Sequence, residues 1–164
     1  MKFNSLKEYF YKLNIRGYQF MMLPLLIFIL SYLQSLINVT FIGIDSEWSN
    51  ILLFALSGVV LVFLTIVQIT TSLKVRKIAL QIGLGVKLEE LGKILTRKMF
   101  LMALQNLLAS VALLSTGSIY FALLFGVLFA WYFVQWPTPN SVCRMLNLKG
   151  DEREIVLTRG DAFK

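Results

Sequence analysis

The charged positions of this chain fall in blocks, and the stretches between them are long. Residues 17–44, 48–73 and 99–143 contain no Asp, Glu, Lys or Arg. That is far more uncharged sequence than a small globular core needs. A helix rises ~1.5 Å per residue, so about 20 residues cross a hydrocarbon core of roughly 30 Å. The first two runs predict spans at residues 18–38, with 40–44 as an outer extension, and at 51–73. The third run is too long for one crossing, since residues 99–136 would extend roughly 57 Å as a single helix. Its strongest turn signal is Ser115-Thr116-Gly117-Ser118. The turn divides the run into spans 99–114 and 119–136, short arms of roughly 24 and 27 Å. A re-entrant pair that never exits is the rival reading. The expected fold is therefore all-α and polytopic, with four transmembrane helices in two helical hairpins.

The segments outside the spans carry their own patterning. Ser5 and Glu8 stand at capping-box spacing, and Phe3, Leu6, Phe10 and Leu13 follow one helical face. This predicts an interfacial helix leading into span one, with Tyr9, Tyr11 and Tyr18 near the headgroups; the alternative is the first turns of span one itself. In the loop 74–98, Leu84, Leu88, Leu91 and Leu95 form a stripe flanked by Lys87, Glu89, Glu90 and Lys93. Gly83 and Gly85 are expected to separate this amphipathic loop helix from span two. Such a helix can lie on the membrane surface, cover the tail or dock a partner helix. Trp136-Pro137-Thr138-Pro139 ends span four, after which Thr138 caps a new helix with Pro139 in its first position. Val142, Cys143, Met145 and Leu146 form its apolar side, and Asn147 to Gly150 closes it. Asp151 is expected to cap a second short element over 152–157, before Arg159-Gly160-Asp161 and Phe163. Residues 1–136 thus read as the transmembrane domain and 137–164 as a cytoplasmic tail that forms a short folded cap or a docking peptide.

Charge adds orientation. All 16 Lys and Arg residues lie in the N-terminal segment, the central loop or the tail, while the first short connection carries Asp45 and Glu47. An even number of spans puts the three basic segments on one side, which the positive-inside rule makes cytoplasmic; an odd number would split them. The implied location is a bacterial cytoplasmic (inner) membrane with both termini inside. No small-residue cleavage site follows the first hydrophobic stretch, so it is expected to be retained as an anchor. The net charge of +7 is a topology signal before it is a partner signal. Nucleic-acid binding would want stacking aromatics among the cations, and none lies between Lys74 and Lys98. Anionic headgroups explain the same residues, with Arg76, Lys77, Arg97 and Lys98 as contacts at two span ends.

Reactive chemistry lacks its usual parts. There is no His, and the single Cys143 has no disulfide partner in the chain. No Walker glycine loop, HExxH or intramembrane carboxylate pair occurs, so no catalytic residue, cofactor or metal is expected. Uncharged polar residues do occur within the spans. Ser31, Gln34, Ser35 and Asn38 share a face of span one, and Ser57, Thr65, Gln68 and Ser72 a face of span two. Gln105 and Asn106 lie mid-membrane with Ser110 one turn on. Amides in hydrocarbon find partners, so these faces are expected to meet other helices or a wet cavity, at about 0.6 kcal/mol per interhelical hydrogen bond. Ala122, Gly126 and Ala130 form a small-residue ridge, read first as internal packing against span one or three and second as a dimer or partner seam. Pro24 is expected to bend span one.

An ion-coupled transporter normally needs a charged group at depth, and the predicted spans have none. The functional expectation is a non-catalytic accessory or scaffolding subunit of a larger membrane assembly, docking other subunits or copies of itself through loop and tail. The alternative is a small oligomeric channel or facilitator lined by Ser31, Gln34, Asn38, Gln105 and Asn106. An enzyme using Glu89, Glu90, Asp151, Glu152 or Glu154 at the cytoplasmic face comes third.

Overall fold

A computed structural model describes residues 5–37 and 46–158. Readings that involve Lys2, Phe3, Asn38, residues 40–44, Asp45 or Arg159 to Phe163 lie outside the described residues. Among the described residues six helices follow in order: α1 (Leu6–Leu36), α2 (Ser46–Ala79), α3 (Leu84–Thr116), α4 (Ile119–Val134), α5 (Pro139–Met145) and α6 (Gly150–Thr158). No strand occurs among the described residues. Leu6–Leu36, Asn50–Ala79 and Leu84–Thr116 are long and apolar enough to cross a membrane. A fourth crossing is added if α4 and α5, bent by 76°, count as one broken span. The chain is thus all-helical with three to four candidate membrane-spanning helices, whose apolar character points to a membrane location.

Local chemistry sets the helix ends. Ser5 Oγ accepts from the Glu8 amide at 3.2 Å, opening α1, which then runs through Pro24 without a break. α2 stops at Ala79, and Gly83 takes φ 98°, a left-handed value that glycine adopts without steric cost. Gly117 does the same after α3, at φ 65°, with its amide on Leu113 O at 2.8 Å. The break between α3 and α4 therefore falls inside the tetrapeptide with the strongest turn signal. Thr138 Oγ1 accepts from the Ser141 amide at 3.2 Å and Pro139 opens α5, as expected. α5 closes in a Schellman motif. Asn147 takes φ 52°, its amide reaches Arg144 O at 3.3 Å, and the Leu148 amide reaches Cys143 O at 3.0 Å. α6 begins at Gly150, so Asp151 lies in its first turn rather than at its cap.

The third span differs from expectation. The loop helix and the third span are a single helix of 33 residues. Nothing between Lys93 and Thr116 is Gly or Pro, so charged Arg97 and Lys98 mark a change of surroundings and not a helix end. Gly85, expected as a breaker, sits within the first turn.

The helices divide into two compact units. The first gathers Met1–Tyr18, Val67–Met99 and Trp136–Lys164. Its interior holds Leu6, Tyr9, Phe10 and Leu13 of α1, Val75 and Ile78 of α2, and Leu88, Leu91 and Leu95 of α3. Val142, Leu146 and Val156 of the tail are buried in it too, and α5 packs on α6. The apolar face of early α1 and the leucine stripe of α3 are therefore covered by protein rather than by headgroups. Tyr9, expected near the headgroups, is fully buried. Trp136 Nε1 donates to Asn14 Oδ1 at 3.0 Å, and its ring lies 4.8 Å from that of Tyr18.

The second unit comprises Gln19–Ile66 and Phe100–Gln135. α4 buries Phe121, Phe125, Leu128 and Tyr132, a four–three–four spacing that keeps one face inward. Phe121 is fully buried with Leu113 and Ala112 of α3, and Phe28, Leu53, Leu56, Ala122 and Leu124 pack against them. Phe28 stacks on Phe125 with centroids 4.0 Å apart.

Candidate functional site

The polar residues of the second unit meet where α1 and α3 touch. Ser110 is fully buried, and its hydroxyl lies 2.9 Å from Asn106 O and 3.1 Å from Pro24 O. Ser31 Oγ donates to Ile27 O at 2.6 Å and approaches Ser110 O at 3.3 Å. Pro24 and Ser31 are seven residues apart, two turns along one face, so one serine of α3 bonds α1 at two levels. Gln105 Nε2 reaches Val60 O of α2 at 3.4 Å, near the outer limit of a hydrogen bond. Asn106 Nδ2 donates back to Met102 O at 3.0 Å within α3.

Of the intramembrane polar residues singled out from the sequence, Ser31, Gln105 and Asn106 are buried, and Gln34 is half-buried with Nε2 unbonded. Ser110, the hub, holds only a secondary place in the sequence pattern, and its position one turn after Asn106 is the signal that points to it. The hydroxyls and the Gln105 amide donate to backbone carbonyls, the chemistry of a packed seam. Asn106 Oδ1 is the exception: it is buried with no partner. An orphaned acceptor contributes nothing to folding, and helices that stay in hydrocarbon when unfolded keep its environment largely unchanged. Asn106→Leu, which loses only a bond within its own helix, is accordingly expected to unfold at nearly the same denaturing-detergent fraction as the wild type. Ser110→Ala should lose roughly 0.6 kcal/mol. Detergent titration followed by circular dichroism measures both.

The polar face of α2 is otherwise placed than expected. Thr65, Gln68 and Ser72 are exposed, and only Ser57 is half-buried. Thr65 Oγ1 donates to Leu61 O at 2.8 Å, which satisfies it within its own helix. Gln68 and Ser72 lie within two turns of Lys74, close to the charged end of α2.

The ridge of α4 also turns outward. Ala122 is half-buried beside the Phe121 cluster, but Gly126 and Ala130 are exposed, and a Cβ at Gly126 would meet nothing within 4 Å. The internal-packing reading fails for these two because Phe121, Phe125, Leu128 and Tyr132 already occupy the covered face. Among the cations, Arg76, Lys77 and Arg97 are exposed, whereas Lys98 is only 5% exposed. It follows Leu91 and Leu95 on the buried stripe, which its long aliphatic stem can join. Lys98 is therefore not a headgroup contact at the surface.

Four acidic residues of the first unit are engaged structurally. Glu8 pairs with Lys12, Glu89 with Lys93 at 3.2 Å and Glu152 with Lys87 at 3.4 Å. Glu90 accepts from Gln81 Nε2 at 2.8 Å. Cys143 Sγ is buried 4.0 Å from Arg153 O, and burial pushes its thiol up from the ordinary range, away from the reactive thiolate. Among the described residues no group of three His, Cys, Asp or Glu side chains could hold a metal ion. Comparison with known protein families, with curated proteins and with solved structures gives no match.

Proposed function

We propose that this chain is a non-catalytic accessory or scaffolding subunit of a bacterial membrane assembly, crossing four times with both termini and the α2–α3 connection on the cytoplasmic side. The observation that carries the assembly reading is the open ridge of α4. Gly126 and Ala130 expose backbone on an otherwise bulky apolar helix, and small residues are what lets another transmembrane helix approach closely. α2 has similar room, since only 11% of its apolar window is buried.

The orientation rests on how charge is distributed. Among the described residues every Lys and Arg belongs to the first unit, and the second carries only Glu47. Four crossings keep those cations together on one side. α4, at 16 residues, is roughly 24 Å long, and Gln135 and Trp136 complete its passage toward the headgroups.

Native-detergent purification of the tagged full chain, followed by mass measurement, tests the assembly. The wild type should carry non-identical subunits, and Gly126→Leu/Ala130→Leu should release them while keeping its helix content. A monomer, or a complex indifferent to the double substitution, would refute the reading.

A further inference from the structure

The cations of the first unit divide into two sets. Lys12, Lys87 and Lys93 are paired with carboxylates. Arg16, Lys74, Arg76, Lys77 and Arg97 are exposed and, among the described residues, have no carboxylate within salt-bridge distance. The second set sits where each long helix becomes uncharged. Arg16 is the last charged residue of α1, Lys74 the first after the uncharged stretch of α2, and Arg97, with buried Lys98, ends the charged part of α3. Each bonded carboxylate of α1 and α3 lies about two turns farther from the uncharged stretch: Glu8 precedes Arg16 by eight residues, and Glu89 and Glu90 precede Arg97 by eight and seven. The paired carboxylates of α1 and α3 thus neutralise cations away from the apolar edge and not at it.

We infer that Arg16, Lys74, Arg76, Lys77 and Arg97 form a collar that binds the phosphate groups of anionic phospholipids. Charge complementarity and depth choose the ligand. Unneutralised cations at the end of an apolar span lie at headgroup level, where a net-negative lipid supplies the missing carboxylates' charge. Lys74, Arg76 and Lys77 share the side of α2 that turns away from buried Val75 and Ile78, so all three are open to a headgroup. Lys98, though adjacent in sequence, is buried and takes no part. The collar does not depend on the assembly reading, because a single copy carries it whole.

The full chain in mild uncharged detergent should be titrated with short-chain phosphatidylglycerol, short-chain phosphatidylcholine and inorganic phosphate, with the thermal unfolding midpoint as readout. Phosphatidylglycerol is expected to raise the midpoint, and the other two to leave it unchanged. At about fivefold per charge near a lipid surface, Arg76→Gln/Lys77→Gln/Arg97→Gln should weaken the phosphatidylglycerol response about a hundredfold at low salt. Lys12→Gln/Lys93→Gln, which removes paired cations, should stay near wild type. If the triple variant does not fold, the wild type still decides, since its response must fall steeply with added salt. Equal responses to the two lipids, stabilisation by inorganic phosphate alone, a salt-independent response, or equal losses in both variants would each overturn the collar.

Discussion

Phe121→Ala is expected to destabilise the second unit by about 2–3 kcal/mol, below the ~3–5 kcal/mol common for this change in water-soluble cores. The reduction has a physical cause. In a bilayer the unfolded helices keep Phe121 in hydrocarbon, so little transfer free energy is lost, and the cost is that of the void and its missing contacts. The void would be costly because the ring is fully buried among Ala112, Leu113, Phe28, Leu53 and Leu56, side chains of three other helices that cannot all close on the gap. Phe54→Ala supplies the contrast. Phe54 is 78% exposed on α2, and its removal should change stability by no more than about 0.5 kcal/mol. Detergent-induced unfolding of both variants measures the difference; equal losses would mean that α4 does not pack as described.

These side chains mark where sequence reading succeeds and stops. Helix ends are legible because the groups that make them are close in the chain: Ser5 with Glu8, Thr138 with Ser141, and glycine where φ must be positive. The extent of α3 is not, because a charge pair reads as a boundary, although charge alone does not stop a helix and neither Gly nor Pro intervenes. For α4, hydrophobic periodicity leaves a choice. Phe121, Phe125, Leu128 and Tyr132 and the ridge Ala122, Gly126, Ala130 lie within one or two residues of each other along α4, and in hydrocarbon both faces are compatible with the surroundings. Only the positions of α1, α2 and α3 decide which one turns inward.

The candidate site shows the same limit. Ser31, Gln105 and Asn106, expected to meet other helices, are buried, whereas Gln68 on an equally polar pattern is not. A hydroxyl can bond its own helix, as Thr65 does, so a polar stripe does not by itself require a partner. The contact between Trp136 and Asn14 spans 122 residues and leaves no local trace. It also explains a glycine in mid-helix to which no local pattern gives a role.

That glycine is Gly17, and Gly17→Val is expected to cost about 2 kcal/mol. A Cβ there would stand 2.8 Å from Trp136 Cη2 and 3.2 Å from Met99 Cε. The indole cannot simply swing aside, since Nε1 is bonded to Asn14 and the ring lies against Tyr18. Valine is the sharper probe because it gains little helix propensity over glycine, whereas alanine gains about 1 kcal/mol and would mask part of the clash. Trp136→Leu should weaken the unit alone, by loss of the hydrogen bond and ring contact, yet make room for the introduced valine in the double variant. The two effects should therefore fall short of their sum by at least about 1 kcal/mol. Trypsin reports the same coupling, since Arg144, Lys149 and Arg153 are exposed on the tail that follows Trp136. Faster cleavage there in Gly17→Val, restored toward wild type by Trp136→Leu, would tie the wedge to the hold on α5 and α6. Simple additivity would mean that the indole yields freely and that the small residue at position 17 has another cause.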